Sequence, residues 1–278
     1  MTDAKHFNIK YNGDHVARIS AKLRLTDDRL VVFLHGFGCA KECFDYAFAA
    51  DELQDLSICT FDFPGHGESK QADEFAYSLQ SYADIANALI KEISPATVSM
   101  VCHSMGGAVG LIATQECRNL NTFINVEGNL VARDCGIVSR STADQSLKAF
   151  KLQGFQEFLH TLQSSGRDDD RAWAKWYAHA DPSALHQTAR SLVEWSDSGK
   201  LLDLFKSLQH QIYIYGEYES KNYLVQELSD IEAYCVPNSG HFVMMDNPDV
   251  FYSLLSGLLH SDSNITAGME GLGLSAML

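Results

Sequence analysis

Short, mostly apolar segments recur along the chain, and they constrain its fold more than any other feature of the sequence. They occupy residues 30–34, 57–63, 98–102, 122–126, 212–215 and 232–236. Apolar runs of this length are typical of strands that are buried on both faces of a parallel sheet. Residues 82–93 and 107–117, between the early strands, are predicted helices. Strands that alternate with helices predict an α/β fold with right-handed crossovers.

An N-terminal hairpin and a helical insertion complete the predicted architecture. Residues 7–11 and 16–21 alternate apolar and polar side chains around Asn12-Gly13, which is typical of a β-hairpin. Residues 130–208 carry helical patterns only, at 147–162, 170–180, 182–195 and 200–208. We therefore expect an α/β core from residues 1–129 and 209–262, an all-helical cap from residues 130–208 over the strand ends, and a loosely ordered tail from residues 263–278.

The composition argues against several classes of partner and site. A formal net charge of −15 disfavours nucleic acid and anionic membranes, because binding phosphate requires clustered Lys and Arg. The 7 cysteines lack the spacing of a metal or disulfide framework, so we expect reduced thiols and no bound metal. No apolar run is long enough for a membrane span, and the polar N-terminal residues do not resemble a secretory signal. A cytoplasmic protein is expected, and its oligomeric state is left open.

The third apolar segment ends in a turn that carries a serine. Residues 98–107 (VSMVCHSMGG) indicate a strand that stops at Ser104 and passes at once into a helix through two glycines. Such a turn exposes the serine hydroxyl and leaves the following N–H group free to bind an anion. The Ser-x-Gly-Gly pattern alone should occur by chance in roughly one chain in ten of this length. The rest of the sequence must therefore supply what a nucleophilic serine needs.

A base for this serine is predicted at His241. A serine hydroxyl is a poor nucleophile at neutral pH and needs a base within hydrogen-bond reach, which is usually an imidazole. His241 follows a loop that leaves the last predicted strand, so it is expected at the edge of the sheet where the carboxyl ends of the parallel strands lie. His103 adjoins the serine, but neighbouring side chains on a strand point to opposite faces. His35 and His66 lie in glycine turns, where a structural role is expected.

A carboxylate is needed to fix the tautomer of the base, and three glutamates qualify by position. Glu219 lies just beyond the strand at 212–215 and about 22 residues before His241, which agrees with the chain order serine, acid, histidine. Glu127 ends the preceding strand, and Glu217 is nearer than Glu219 to its own strand end. The sequence favours Glu219, with Glu127 as the main alternative.

Acyl transfer also requires hydrogen-bond donors for a developing oxyanion. One is expected to be the N–H group of Met105, at the start of the helix that follows the serine, where the helix dipole favours negative charge. The other is expected from the loop at 35–38 (HGFG), through the N–H group of Phe37. The alternative for that loop is a plain tight turn.

The motifs 35–38 (HGFG), 62–69 (DFPGHGES), 102–107 (CHSMGG), 216–219 (GEYE) and 239–241 (SGH) occur in this order. Together they resemble the α/β-hydrolase superfamily over nearly the whole chain outside the insertion and the tail. The resemblance implies Ser104 as nucleophile, His241 as base, a helical cap between strands six and seven, and a structural turn at 62–69. Cys102 replaces the usual first glycine of the serine motif and is small enough to fit. Because position 104 is serine, the resemblance speaks against haloalkane dehalogenase and epoxide hydrolase chemistry.

Aromatic residues in the insertion suggest where a substrate could bind. Trp173, Trp176 and Tyr177 follow helical spacing, which is more typical of packing than of a substrate site. Because a cap packs on the strand ends, some of them are expected to line an apolar pocket. The sequence thus predicts a cofactor-free serine hydrolase for an ester, thioester or lactone of a small apolar compound. C–C bond hydrolysis, acyl transfer on the same residues and a ligand-sensing protein with little turnover are the alternatives.

Overall fold

One eight-stranded sheet forms the centre of the molecule. The computed structural model describes residues 3–11, 15–69, 74–219 and 222–260. The turn predicted at Asn12-Gly13 and the tail predicted at 263–278 lie outside these residues. The strands, β1 to β8 in chain order, are Ala4–Tyr11, His15–Arg24, Arg29–Leu34, Ser57–Phe61, Thr97–His103, Leu120–Val126, Gln211–Gly216 and Glu232–Val236.

The topology of the sheet confirms the predicted α/β fold. The strand order is β1-β2-β4-β3-β5-β6-β7-β8. β1 and β2 form an antiparallel hairpin, and β2 joins β4 antiparallel, whereas β3 to β8 pair in parallel. All five residues of β4 and six of the seven in β5 are buried, as expected for strands covered on both faces. The carboxyl ends of the parallel strands therefore meet at one edge, where ligands bind in such sheets.

Helices flank the sheet and fill the chain between β6 and β7. Helices of six or more residues, α1 to α9, are Leu79–Ile93, Met105–Thr114, Gly136–Asp144, Phe155–Ser164, Asp168–Tyr177, Pro182–Asp197, Lys200–Ser207, Asn222–Glu227 and Pro248–His260. Shorter helical segments are Lys41–Phe44, Tyr46–Ala49, Asp51–Leu53, Ala132–Cys135, Leu147–Ala149, the π-helical turn Phe150–Gly154, and Val243–Asp246. Within the described part of the chain, no helix is both long and apolar enough to cross a bilayer.

Helix α1 shows how local sequence sets the element boundaries. It begins after Ser78, whose hydroxyl accepts a hydrogen bond from the N–H group of Ser81, and it ends at Ser94 in the left-handed conformation. Ile85 and Leu89 lie on its buried face, as the periodicity predicts. Helix α2 is different, because nine of its ten residues are buried and its apolar surface extends all round.

The insertion between β6 and β7 is helical in every described element. The four predicted helical segments all fall on helices, but α3 was not among the predicted segments. The reason is that Ser139 and Thr142 lie among the buried residues of this short helix, so apolar spacing does not mark its inner face. The division of the chain into core, cap and tail domains stays a prediction.

Direct hydrogen bonds hold the insertion against the turns at the carboxyl edge of the sheet. Trp173 Nε1 donates to the carbonyl of Phe37 at 3.0 Å, and the N–H group of Asp181 donates to the carbonyl of Gly65 at 2.8 Å. Gly65 has a φ of +80°, and a Cβ atom there would lie 2.5 Å from Ala184. Glycine at this position therefore permits both the turn and the close approach of α6.

Candidate active site

Ser104 lies in a strained turn between β5 and α2. Its φ of 54° and ψ of −122° are unusual for a residue with a side chain, and such strain is concentrated at functional sites. The turn leaves no room for a Cβ atom at Gly106 or Gly107. A Cβ atom on Gly106 would lie 2.3 Å from the carbonyl oxygen of Leu34, and one on Gly107 would lie 2.6 Å from Asn125 Oδ1. The two glycines of the motif are therefore required by packing against β3 and β6.

The predicted oxyanion donors border the same turn. Met105 is the first residue of α2, and the first N–H groups of a helix have no acceptor within the helix. Phe37 follows the end of β3, and its side chain lines the same cavity as Ser104. The arrangement places a helix N-terminus and the loop at 35–38 on the side of the sheet edge where Ser104 lies.

The loop that carries His241 is held by hydrogen bonds at successive residues. The N–H group of Tyr218 donates to the carbonyl of Ser239 at 2.9 Å. The N–H group of Gly240 donates to Asp246 Oδ2 at 2.8 Å. The imidazole of His241 is one third exposed and lines the cavity with Ser104. A base fixed in this manner and open to a ligand suits proton transfer.

Among the described residues, Glu127 is the carboxylate found within 4.0 Å of this imidazole. It follows β6 with a φ of 52°, and its side chain is fully buried. Its Oε1 accepts the N–H group of Gly216 at 2.7 Å, and its Oε2 lies 3.7 Å from His241 Nδ1. This separation exceeds a hydrogen bond, but hydrogen bonds between catalytic groups are often long before substrate binds.

Glu219 and Glu217 occupy different positions. Glu219 closes a turn through its N–H group to the carbonyl of Gly216, and its side chain lines the cavity. Among the described residues, no ion pair within 4.0 Å joins Glu219 to His241. Glu217 instead accepts the N–H group of Asn238 at 2.8 Å. The distances therefore favour Glu127, whereas chain order favours Glu219.

A cavity of about 450 Å³ lies between the strand ends and the insertion. Its aromatic lining consists of Phe37, Trp173, Tyr223 and Phe242. Trp176 and Tyr177, which the sequence also offered as pocket residues, are absent from this lining. Tyr177 is fully buried against Phe155 and Phe158. Tyr177 is thus a packing residue, because its ring lies on the inner face of α5.

The cavity is more polar than the sequence suggested. Its charged lining residues are Arg133, Asp134, Arg167, Asp169, Asp170 and Glu219. Arg167 binds Asp169 through two nitrogens and is thereby neutralised. Arg133 lies over the ring of Tyr223, 4.2 Å from its centroid, and takes part in no ion pair within 4.0 Å among the described residues. The lining therefore combines aromatic with charged side chains, which helical periodicity does not show, and the apolar pocket expected from the sequence stays a prediction.

The segment at 62–69 is a buried structural turn beside the site. Asp62 is fully buried, and its carboxylate accepts the N–H groups of Lys41 and Glu68 and the ammonium group of Lys41. The hydroxyl of Ser69 donates to the carbonyl of Asp62 at 2.7 Å. None of these residues lines the candidate cavity. Their charges and hydroxyls are used within the turn itself.

His35 and His66 are fully buried near this turn. Burial lowers the pKa of His66 to about 4, and burial beside His66 lowers the pKa of His35 well below its usual value. His35 Nε2 accepts the N–H group of Phe63 at 3.1 Å, which requires a neutral ring. Both histidines are therefore uncharged packing groups at neutral pH.

The cysteines fit the reduced state expected from their spacing. All seven are free thiols, and five of them are buried. Burial raises the pKa of the Cys59 thiol to about 12, so it is an inert thiol and not a thiolate. Within the described residues, no group of three or more metal-ligating side chains could hold a metal ion.

The fold, the serine turn and the order of the motifs agree with a match to a known family. The model of the alpha/beta hydrolase family matches residues 31–254. The chain belongs to the alpha/beta hydrolase family. The match covers the sheet from β3 to β8 and includes Ser104, Glu127, Glu219 and His241.

Similar proteins within this alpha/beta hydrolase family differ in activity. A Mycoplasma genitalium protein that bears an esterase/lipase name is 32% identical over 84 residues, which is 30% of this chain and 31% of that protein. The match therefore spans about a third of that relative. The 2-succinyl-6-hydroxy-2,4-cyclohexadiene-1-carboxylate synthase of Escherichia coli is 24% identical over 267 residues, which is 82% of this chain and 93% of that enzyme.

Solved structures of hydrolases resemble the whole chain. A mutant of the N-acyl homoserine lactonase AidH, complexed with N-hexanoyl homoserine, has a TM-score of 0.74 at 15% identity and covers 96% of this chain and 99% of that chain. An esterase from Exiguobacterium antarcticum has a TM-score of 0.73 at 17% identity and covers 94% of this chain and all of that chain. At these identities the likeness establishes a shared fold.

Proposed function

We propose that this protein is a serine hydrolase that cleaves a carboxylic ester, thioester or lactone through an acyl-enzyme on Ser104. The observation that carries the proposal is that Ser104 and His241 line one cavity, with the serine in a strained turn and a buried carboxylate behind the histidine. The esterase and lactonase structures that share its fold support this class of reaction.

The reaction proceeds in two acyl-transfer steps. The imidazole of His241 takes the proton of the Ser104 hydroxyl as its oxygen attacks the substrate carbonyl. The N–H groups of Phe37 and Met105 stabilise the negative oxygen of the tetrahedral intermediate. His241 then gives its proton to the leaving alcohol or thiol, and the acyl group remains on the serine. Water deprotonated by His241 releases the acid and restores the enzyme.

Glu127 is the acid we assign to His241, and Glu219 is the alternative. A buried carboxylate beside Nδ1 holds the imidazole in the tautomer whose Nε2 faces the serine, and it stabilises the imidazolium. Glu127 meets this requirement by burial and by its 3.7 Å distance to His241 Nδ1. Glu219 meets it by its place in the chain after β7.

The cavity supports a small-molecule substrate of mixed polarity. Its aromatic residues, which are Phe37, Trp173, Tyr223 and Phe242, offer contact for an acyl chain or a ring. The formal net charge of −15 favours a small molecule over nucleic acid as the partner. The free thiols support a cytoplasmic location, where cysteines stay reduced.

Labelling with a fluorophosphonate probe tests the proposal. The purified protein should react covalently, and Ser104→Ala should abolish both labelling and the hydrolysis of a short p-nitrophenyl ester. A folded wild-type protein that does not label would refute the proposal. Labelling without turnover of any acyl substrate would favour a ligand-sensing protein that keeps the site.

A second candidate function is a C–C bond reaction of a carboxylate-bearing substrate on the same serine and histidine. The guanidinium of Arg133 in the cavity lining favours it, because such a group binds carboxylates and this one forms no ion pair within 4.0 Å among the described residues. The similarity to the Escherichia coli synthase, a protein of almost the same extent, also favours it. Product analysis on a panel of esters and of carbon–carbon substrates separates the two functions. For an anionic substrate, Arg133→Gln should raise KM about 10-fold or more.

A further inference from the structure

His103 connects the strand of the nucleophile to the loop of the base. It is the last residue of β5, one position before Ser104, and it is fully buried. Its Nε2 lies 2.9 Å from the backbone carbonyl oxygen of His241. Because a carbonyl oxygen only accepts, the Nε2 of His103 must carry the proton and donate it.

The surroundings of the His103 ring fix its orientation. The ring centroid lies 4.8 Å from that of His241 and 5.0 Å from that of Phe242. On the other side, a Cβ atom on Gly36 would come within 3.0 Å of His103 Nδ1, so glycine there leaves the space that the ring occupies. His103 is absent from the lining of the cavity and so does not meet substrate in this arrangement.

We propose that His103 is a positioning residue that sets the direction of the His241 side chain. The peptide between Ser239 and Gly240, one step before that of His241, is anchored where the N–H group of Gly240 donates to Asp246. The peptide after it is anchored where the carbonyl of His241 accepts from His103. With the peptide after His241 fixed and the chain before it held at Gly240, the Cα–Cβ bond of His241 is restricted in direction, which keeps its ring beside Glu127 and at the cavity that Ser104 lines. The inference rests on the proposed function, because it assigns His103 a role in the action of His241.

The magnitude of the effect follows from the precision that proton transfer requires. A displacement of about 1 Å between reacting groups costs on the order of 100-fold in rate. Without the His103 donor, the carbonyl of His241 is left buried without that hydrogen bond, and the loop is free to shift. Substrate contacts are unaffected, so kcat should fall whereas KM should change little.

The experiment compares two buried histidines that make the same kind of bond. His186 is buried in the insertion, and its Nε2 lies 2.7 Å from the backbone carbonyl oxygen of Gln145. His103→Phe and His186→Phe each remove one buried donor to a carbonyl. We expect His103→Phe to slow fluorophosphonate labelling and kcat by about 10- to 100-fold and to shift the pH profile of kcat/KM. His186→Phe should lower thermal stability to a similar extent with unchanged kcat.

Conservative variants keep the proposal testable if His103→Phe fails to fold. The amide of His103→Gln can reach the carbonyl of His241 and should retain at least about a third of the wild-type rate, whereas the shorter His103→Asn should fall about 10-fold below it. Equal rates for these two variants, or equal kcat losses for His103→Phe and His186→Phe, would overturn the proposal. Because wild-type labelling of Ser104 is measured separately, failure of this inference is distinguishable from failure of the proposed function.

Discussion

The two walls of the candidate cavity are built in different ways. On the sheet side, Ser104 and His241 follow strands β5 and β8, with Glu127 buried behind them after β6, and backbone hydrogen bonds and close glycine contacts fix their positions. On the insertion side, Arg167 and Asp169 neutralise each other at the start of α5, and Arg133 precedes α3. The sheet wall therefore carries groups suited to chemistry, and the insertion wall carries charges suited to selecting a ligand.

Because the two walls are built differently, we expect substitutions in each of them to affect different properties of the protein. Side chains fixed by a parallel sheet cannot shift without breaking the ladder of hydrogen bonds, so errors there should affect rate or folding. Side chains on the helices are tied to the sheet by a few hydrogen bonds, such as the one from Trp173 to Phe37. Changes there should affect KM and should have small effects on kcat and stability.

The largest expected effect concerns the acid behind His241. Glu127→Gln keeps an oxygen for the N–H group of Gly216 but removes the charge, so kcat should fall by about 100- to 10,000-fold. The matched variant Glu219→Gln removes the carboxylate that lines the cavity and should keep kcat within about 10-fold of the wild type. Steady-state kinetics on a p-nitrophenyl ester measures both.

The reverse result would assign the role of the acid to the loop that follows β7. If Glu219→Gln lowers kcat more than Glu127→Gln does, Glu219 is the acid, and the role of Glu127 is limited to its hydrogen bond with Gly216 in the sheet. Thermal unfolding of both variants shows whether a loss of rate reflects a loss of fold.

A steric test of the sheet wall comes next in size. Gly106→Ala would place a Cβ atom 2.3 Å from the carbonyl oxygen of Leu34, and we expect a cost of about 3 kcal/mol in the free energy of unfolding. Its control is Gly199→Ala in the insertion, where no atom lies within 4 Å and φ is +76°. Only the strain of that backbone applies there, at about 1 kcal/mol. Urea unfolding compares them, and equal losses would contradict the difference between the walls.

The turn at 62–69 joins the insertion to the sheet through the hydrogen bond between Asp181 and Gly65. The stability of the folded protein should depend on pH through His66 in this turn. The unfolded chain protonates this imidazole below about pH 6.5, whereas the folded chain does so only below about pH 4. The contribution of the neutral His66 to the free energy of unfolding is therefore fully present above about pH 6.5. It is lost as the pH falls toward 4, by about 3 kcal/mol in total. His66→Gln should make the slope of stability against pH shallower in this window. An unchanged slope would mean that the folded histidine titrates normally.

The smallest effect is expected where the insertion meets the loop of Phe37. Trp173→Phe removes the donor to the carbonyl of Phe37 and should cost about 1 kcal/mol in the free energy of unfolding. Because this carbonyl belongs to the loop of the proposed oxyanion donor, a decrease of a few-fold in kcat should accompany it. Trp176→Phe is the control, since Trp176 does not line the cavity. Equal kcat values and equal free energies of unfolding for Trp173→Phe and Trp176→Phe would show that the hydrogen bond from Trp173 to Phe37 does not contribute to function.

Much of the fold could be predicted because burial on both faces leaves a plain record in the sequence. The apolar runs at 30–34 and 122–126 fall within β3 and β6, and the alternating segments at 7–11 and 16–21 fall within β1 and β2. Helix α3 left no such record, because its buried face includes Ser139 and Thr142. Periodicity reports apolar contacts, so it misses elements that pack through hydroxyl groups.

The candidate site divides in the same way. Ser104 could be identified because its strain demands small residues beside it, and this demand is visible as two glycines. The proximity of Glu127 to His241 could not, since both hang from strand ends whose spacing depends on pairing across β6, β7 and β8. The charged lining of the cavity was also missed, because Arg133 and Asp169 look like ordinary solvated residues in the sequence.

The hydrogen bond from Gly216 to Glu127 has a consequence for how such a site can change over time. The carboxylate takes the place that a backbone carbonyl would have at the next step of the ladder between β6 and β7. A shorter side chain at position 127 would have to give up either this bond or its approach to His241. Moving the acid to another loop would therefore leave the N–H group of Gly216 in need of a new acceptor at this edge of the sheet.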